Sequence, residues 1–303
     1  MTPEKLKFEE LLATTTMFFV ENEIEQKYSD RIELIVSDLR TKLSQVNNVE
    51  GLKNYIREDK KALDNLLCLL NISTEKFKRI ITLLRLNKKY TMSTEWSLSK
   101  TRNYMVENEA FLNEVTELIL NGANNPKFEA IIPKFYLDNF KIDIDVISRL
   151  SNKDDLIRLV KGNIETSYNN DISLAYSKRI IDYLIKICEK NGLDYQVKPE
   201  VKFINREPSF TILHNNAIKG IIDISYMITT SSSQTQYARR IKETFEIQKS
   251  YNDSLNEFIY VMIIDGAGWF GRQSDFRSIH KTSSQILNLN TLERLEKIIK
   301  NIN

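Results

Sequence analysis

The sequence predicts an α+β protein in which a helical N-terminal half is followed by an α/β half with a central mixed sheet. Apolar residues recur at intervals of three and four from the N-terminus to about residue 159, which is the period of a helix. After Gly162, β-branched and aromatic residues gather in short runs between turn-forming residues, as in strands. We therefore expect a mostly helical domain over residues 1–160 and a sheet-containing domain over residues 161–303.

The helical half contains recognisable start and stop signals. Ser73 precedes the apolar run of residues 77–84, and residues 151–154 form a capping-box pattern ahead of another run. Gly162 is placed to end the helix that follows this second signal. A further long helix is predicted over residues 172–190, because Asn191 and Gly192 follow its last apolar residues.

The second half begins its strands with a predicted hairpin. Residues 209–213 and 218–227 are strand-like runs, and the turn-forming residues 214–216 lie between them. This arrangement predicts two antiparallel strands. Alternation places Glu207 and Ser209 on one face of the first strand, and it places Lys219 and Asp223 on one face of the second.

A helix and a buried strand are predicted after the hairpin. Residues 229–235 form a polar, hydroxyl-rich loop, and residues 236–248 show a basic helical pattern. Residues 258–264 are almost wholly apolar, which favours a strand that is buried on both faces. Asp265 follows at the carboxyl end of this strand, where α/β sheets place ligands; capping of the turn is the alternative role for Asp265.

Composition excludes several classes of protein and site. The chain has 303 residues, of which 42% are hydrophobic and 28% are charged, with a net charge of +2, as in globular proteins. It has neither a signal-peptide pattern nor a run of roughly 20 apolar residues that could cross a bilayer, so we expect a cytoplasmic protein without a membrane partner. Its two histidines and two cysteines do not cluster, which argues against zinc and disulfides. Any metal would be held by carboxylates.

Four segments of the second half carry a family resemblance. They are Ile222-Asp223-Ile224-Ser225-Tyr226, the serine-rich loop that ends in Tyr237-Ala238-Arg239, Ile264-Asp265-Gly266-Ala267-Gly268-Trp269, and Ile286-Leu287-Asn288-Leu289-Asn290-Thr291-Leu292. Over about residues 165–300 the chain resembles type II restriction endonucleases of the GATC-cutting group, which belong to the PD-(D/E)XK superfamily. The resemblance implies a PD-(D/E)XK nuclease-like domain that cuts double-stranded DNA with Mg²⁺. It also implies a homodimer and a cognate DNA methyltransferase in the same system. For the helical domain, DNA contact and dimerisation both remain open.

The active site of that family can be mapped onto this sequence. The family has an acid on the first strand, an acid followed two residues later by Lys or Asn on the second, and a Glu on the preceding helix. These positions fall on Ser209, Asp223 and Ser225, and near Lys178. The carboxylates of the family hold Mg²⁺, which polarises the phosphate. The resemblance therefore implies that Asp223 is catalytic and binds the metal.

Two neighbours are candidates to complete the site, because Mg²⁺ takes its protein contacts from one or two carboxylates. Glu207 shares a predicted strand face with Ser209 and is the candidate second metal ligand. Lys219 shares a face with Asp223 and is the candidate catalytic base that orients the attacking water. The alternatives are a solvated acid at the end of a strand for Glu207 and an edge lysine that blocks unwanted pairing for Lys219.

DNA contacts are predicted on the basic helix and on the loop before it. Arg239 and Arg240 could neutralise phosphates and steer a duplex. Ser232 and Ser233 lie in the hydroxyl-rich loop and are the other predicted DNA-binding residues. A solvated helix face is the alternative for the two arginines.

Three functions follow as hypotheses. The first is a sequence-specific, Mg²⁺-dependent endonuclease of double-stranded DNA that acts as a homodimer. The second is a catalytically decayed nuclease-fold protein that binds DNA or serves as a subunit of another enzyme. The residues at the mapped family positions, Ser209, Ser225 and Lys178, favour it. The third is a helical interaction protein in which the sheet is only a scaffold.

Overall fold

The computed structural model describes residues 4–42, 46, 48–87, 94–230, 232–252 and 258–300, and these form two compact units. One unit combines residues 4–24 with residues 169–300, and the other comprises residues 25–168. The division therefore falls at residue 168 rather than at 160, within a helix. The first residues belong to the sheet-containing unit, which the helical periodicity of the first half does not show.

The prediction of a helical first half followed by a mixed sheet is confirmed. In chain order the helices are α1 (Phe8–Thr14), α2 (Asn22–Lys42), α3 (Val49–Glu58), α4 (Ala62–Leu69), α5 (Thr74–Asn87), α6 (Leu98–Glu107), α7 (Glu109–Asn121), α8 (Pro126–Glu129), α9 (Lys134–Leu137), α10 (Ile144–Ser151), α11 (Lys153–Lys190), α12 (Ser232–Asn252), α13 (Gln273–Thr282) and α14 (Arg294–Ile299). Across the described ranges, each helix is too short or too polar to cross a bilayer.

The expected helix starts are confirmed, but the expected stop at Gly162 is wrong. The Ser73 hydroxyl accepts a hydrogen bond from the backbone N–H of Lys76 at 3.2 Å and so caps α5. Asn152 caps α11, which continues through Gly162 to Lys190. A glycine inside a helix costs about 1 kcal/mol relative to alanine. Burial of Leu156 and Val160 on one side of Gly162 and of Ile172 on the other outweighs this cost.

In the described part of the chain, the sheet has five strands, and their order across the sheet is their order in the sequence. They are β1 (Asp194–Val197), β2 (Phe210–His214), β3 (Ala217–Tyr226), β4 (Ile259–Asp265) and β5 (Gln285–Leu287). β1, β2 and β3 pair antiparallel, whereas β4 lies parallel to β3 and to β5. The sheet is therefore mixed.

The local predictions for this sheet are largely confirmed. β2 and β3 form the expected hairpin, and its two turn residues Asn215 and Asn216 have φ values of 53° and 62°. Asparagine tolerates this left-handed conformation, which a two-residue type I′ turn requires. β4 is buried almost throughout, as expected. The predicted loop is shorter than expected, because α12 already begins at Ser232.

Two helices cover opposite faces of the sheet. Asp223 and Tyr226 point to opposite faces of β3 because they are three residues apart. The ring of Tyr176 on α11 stacks on Tyr226 with the ring centres 4.8 Å apart. Thr244 on α12 lies on the side of Asp223, to which it is linked through Arg206. α11 and α12 therefore enclose the sheet between them.

Candidate functional site

Asp223 lies in the centre of the sheet, facing α12. It pairs with Met262 of β4 in the parallel register, and only 4% of its surface is exposed. A buried carboxylate needs a partner of opposite charge or several hydrogen bonds. The surroundings of Asp223 therefore decide what this acid can do.

Arg206 supplies that partner. Its Nη1 atom donates to Asp223 Oδ1 at 2.8 Å, and its Nη2 atom donates to Oδ2, so the pair is bidentate. The hydroxyl of Tyr260 donates to Asp223 Oδ2 at 2.6 Å. Arg206 Nε donates to the hydroxyl of Thr244 at 3.0 Å. Together Arg206, Asp223, Thr244 and Tyr260 form what we name the Arg206 cluster.

The backbone before β2 places Arg206 in this position. Residues Lys202–Ile204 form a short 3-10 turn, and Asn205 takes a left-handed conformation with φ of 50°. The backbone N–H of Val201 donates to the carbonyl oxygen of Arg206 at 3.1 Å, which closes the loop. The guanidinium is thereby held over β3.

The electrostatics of the Arg206 cluster favour a charged pair. Burial alone would lower the pKa of Arg206, but its hydrogen bonds to Asp223 and the charge of that carboxylate outweigh burial and raise the pKa. Burial raises the pKa of Tyr260, and the negative charge of Asp223 adds to the effect. Tyr260 therefore stays a neutral hydrogen-bond donor.

The residues around Asp223 do not fit Mg²⁺. Both carboxylate oxygens are engaged by the guanidinium, so a cation would have to displace it. Among the residues that the structure describes, no group of three or more His, Cys, Asp and Glu side chains could hold a metal ion. Mg²⁺ binds through one or two carboxylates and completes its octahedron with other oxygen ligands, but both oxygens of Asp223 already accept hydrogen bonds from Arg206.

The structure does not bring Glu207 and Lys219 to Asp223. Glu207 is exposed, and both Glu207 and Ser209 precede β2, so the predicted strand face that they would share is not formed. Lys219 lies at an irregularity where the β2–β3 register shifts, four residues before Asp223. Four residues of strand span roughly 13 Å. In the described chain neither residue makes a hydrogen bond or ion pair with Asp223, and their catalytic and metal-binding roles stay predictions.

The two serines at the mapped family positions lie close to Asp223 in the fold. The Ser209 hydroxyl accepts a hydrogen bond from the backbone N–H of Ile224 at 3.1 Å. Ser225 is buried on the same face of β3 as Asp223. The mapped positions 209, 223 and 225 thus lie close together, but of these three residues Asp223 alone is charged. Lys178, the mapped helix position, lies on α11, which covers the opposite face of the sheet.

The predicted DNA-contacting arginines lie on the outer side of α12. Arg239 is exposed and makes an ion pair with Glu243, with 3.5 Å between Nε and Oε1. Arg240 is also exposed, and its carbonyl oxygen accepts a hydrogen bond from Thr244, so the helix turn that carries it also supports the Arg206 cluster. Ser232 and Ser233 begin α12, but their side chains lie outside the described part of the structure.

Asp265, at the end of β4, is a second buried acid, and its role is structural. Its side chain accepts hydrogen bonds from the backbone N–H of Thr16, from the backbone N–H of Leu289 at 2.7 Å and from the Tyr176 hydroxyl at 2.6 Å. Burial raises the pKa of Asp265 to about 6, although these hydrogen bonds partly oppose the shift. Asp265 thus joins the N-terminal segment, α11 and the chain after β5.

The raised pKa of Asp265 gives a testable pH dependence. Its ordinary pKa is 3.8 and the folded value is about 6, so the folded state binds the proton more tightly. The contribution of Asp265 to the unfolding free energy should therefore fall by about 3 kcal/mol as pH rises from about 4 to above 6. Urea unfolding of the protein and of Asp265→Asn at pH 4, 5, 6 and 7 measures this as the difference between the two.

A matched variant sharpens the same measurement. Tyr176→Phe removes a hydrogen bond that lowers the pKa of Asp265, so the pH dependence should move to higher pH. A difference between the protein and Asp265→Asn that stays constant from pH 4 to 7 would mean that Asp265 does not titrate there.

The sequence interpretation missed Arg206, Tyr260 and Thr244. The sequence pattern alone predicts on which face of the strand Tyr260 lies. Alternation along the apolar strand puts the side chains of Tyr260 and Met262 on the same face. No comparable signal marks Arg206, since its position depends on the irregular turn before β2. Thr244 is hidden among the polar residues of an amphipathic helix.

Comparisons of the chain with models of known protein families, with curated proteins and with solved structures find no match. What the site can do therefore follows from its own geometry. At this site the Asp223 carboxylate is neutralised by Arg206 of the same chain, beneath α12.

Proposed function

We propose that this chain is a nuclease-fold protein that binds double-stranded DNA without cleaving it. The observation that carries the proposal is the bidentate Arg206–Asp223 pair. A guanidinium attached to the chain stands at the carboxylate where the resembled nucleases hold Mg²⁺. The acid is kept in place, but it is not available for metal-dependent chemistry.

Two features support DNA as the ligand. The first is the resemblance of segments 222–226 and 264–269 to site-specific endonucleases. The order of an antiparallel hairpin, a helix and a parallel strand agrees with it. The second is the exposed side of the first half of α12, where Arg239, Arg240 and Lys242 present positive charge. Basic side chains along one helix provide the phosphate contacts on which affinity for DNA mostly depends.

Cleavage is the second candidate function, and the position of Asp223 favours it. This acid stands at the mapped second-strand position, and Ser209 lies beside it at the mapped first-strand position. A cleaving form would need a different arrangement of Arg206 and further metal ligands. We therefore rank binding without cleavage first.

One experiment separates the two functions. Purified protein is incubated with unmodified linear duplex DNA in Mg²⁺ or in EDTA, and the products are resolved on a denaturing gel and on a native gel. We expect intact DNA and the same mobility shift in both buffers. Discrete fragments that appear only with Mg²⁺ would support the endonuclease instead. Absence of any shift at low salt would contradict both DNA hypotheses.

The duplex contacts of α12 can be tested by charge removal. Arg239→Gln combined with Arg240→Gln should weaken binding to unrelated duplex sequences alike. The slope of log affinity against log salt should become shallower by about 0.9 for each phosphate that the variant no longer neutralises. Lys249→Gln, near the other end of the helix, is the matched control for general charge. An equal weakening in this control would argue against a local interaction at Arg239 and Arg240.

A further inference from the structure

The helical unit contains an open cleft of about 390 Å³ between α5 and the segment 132–137. Its lining combines apolar side chains with two basic residues, one acid and one phenol ring, among them Ile80, Leu83, Lys76, Arg79, Glu75 and Tyr136. The cleft belongs wholly to residues 25–168. Its lining therefore includes no residue of the Arg206 cluster or of α12.

Tyr136 lines this cleft, and Phe135 stands next to Tyr136 outside the lining. Phe135 is 80% exposed and Tyr136 is 46% exposed, and both lie on the short helix α9. Their ring centres are 5.6 Å apart and their planes are nearly perpendicular. An exposed ring face beside a cleft offers a surface on which a planar group can stack.

The cations beside these rings are available to a ligand. Lys76 Nζ lies 5.3 Å from the centre of the Tyr136 ring. Within the described chain, Lys76, Arg79 and Lys134 make no ion pair, whereas Lys78 on the same helix pairs with Glu75 at 3.1 Å. Asp138 is the acid whose charge acts on Lys76. Glu75 also lines the cleft, but its carboxylate is paired with Lys78, so Lys76 and Arg79 leave the cleft with a surplus of positive charge.

We propose that this cleft binds an unpaired nucleotide of a single-stranded nucleic acid. A base would stack on Phe135 or Tyr136, and the adjoining phosphates would contact Lys76, Arg79 and Lys134. Stacking on aromatic side chains combined with a basic groove is the way in which proteins hold single strands without reading their sequence. The proposal goes beyond duplex binding, because it concerns the other unit and an unpaired strand.

The size and charge of the cleft favour this ligand over an amphipathic peptide helix. A volume of about 390 Å³ lies near the lower end of the range for pockets that hold one small ligand. A peptide helix would need an elongated apolar groove for several anchors. One base can stack on the rings while its phosphates contact the cations.

The test is fluorescence anisotropy with the full chain. The probes are a labelled 12-nucleotide oligothymidylate and the oligouridylate of the same length at low salt, which distinguish DNA from RNA. Phe135→Ala should weaken binding at least about fivefold, the lower end expected when one base is no longer stacked. Ile144→Ala is the matched control, since Ile144 is 84% exposed in the same unit, and it should leave affinity unchanged.

Charge removal gives an independent readout. Arg79→Gln and Lys134→Gln should each make the slope of log affinity against log salt shallower by about 0.7, as expected when one phosphate of a single strand is no longer neutralised. Arg158→Gln, at an exposed site of the same unit, should leave the slope unchanged. Binding that depends on Phe135 but not on Arg239 and Arg240 would support the proposal even if duplex binding fails.

Three results would overturn the proposal. The first is absence of binding to both oligonucleotides at tens of micromolar protein. The second is equal affinity of Phe135→Ala and the unaltered protein. The third is binding of an acidic amphipathic peptide, with the same dependence on Phe135, in place of either oligonucleotide.

Discussion

Replacing Arg206 with alanine is expected to lower the free energy of unfolding by about 3–5 kcal/mol, because it leaves the buried Asp223 carboxylate without its counter-ion. The substitution also removes the donor to the hydroxyl of Thr244. Among the described residues, only the hydrogen bond from Tyr260 then remains at the carboxylate. Urea unfolding at pH 7, followed by circular dichroism, measures the decrease in stability.

A double variant separates the charge from the packing. Arg206→Met combined with Asp223→Leu removes both charges and keeps side-chain volume, and such replacements of buried pairs are often neutral or stabilising. We expect it to recover most of the stability that Arg206→Ala removes. Arg239→Ala is the surface control, and it should change stability by no more than about 0.5 kcal/mol. A decrease below about 1 kcal/mol in Arg206→Ala would contradict the bidentate pair.

The Arg206 cluster has a direct consequence for function. A guanidinium attached to the chain neutralises Asp223 in every folded molecule, so the fold does not depend on an added cation at this carboxylate. Removing Arg206 frees one carboxylate, and in the described chain Glu207, the candidate second metal ligand, makes no hydrogen bond or ion pair with Asp223. We therefore expect Arg206→Ala to lose stability without acquiring cleavage.

The features that could be predicted from sequence are those with a local cause. The hairpin follows from two asparagines between two β-branched runs, and its turn needs only their tolerance of positive φ. β4 follows from an unbroken apolar run, which a strand with parallel neighbours on both sides requires. The start of α5 follows from one serine hydroxyl.

The features that could not be predicted depend on contacts between distant residues. The backbone carbonyl of Thr16 accepts a hydrogen bond from the N–H of Gly266 at 3.0 Å, which ties the N-terminal segment to the end of β4. The helical periodicity of residues 4–24 does not predict this contact. The helix through Gly162 likewise depends on burial at both of its ends. Arg206 reaches Asp223 only because an irregular turn directs it there.

Gly266→Ala is expected to destabilise the protein by about 3–5 kcal/mol. Gly266 has φ of 109°, and a Cβ atom there would lie 2.2 Å from the carbonyl oxygen of Met227. This oxygen accepts a hydrogen bond from the N–H of Gly268 at 2.8 Å, and the N–H of Met227 donates to the carbonyl oxygen of Asp265 at 3.1 Å. Met227 is thus held from both sides, so relief of the clash would break hydrogen bonds in addition to the cost of the strained φ.

Gly192→Ala is the matched control, because it shares the positive φ but not the clash. Gly192 has φ of 64°, and in the described chain no atom lies within 4 Å of its added Cβ. Only the left-handed conformation is then penalised, at about 1–2 kcal/mol. The excess destabilisation in Gly266→Ala over this control, measured by urea unfolding, reports the clash with Met227. Equal destabilisation by the two variants would mean that the turn after β4 can shift to make room for a Cβ atom. Gly266 would then be needed only for its backbone conformation.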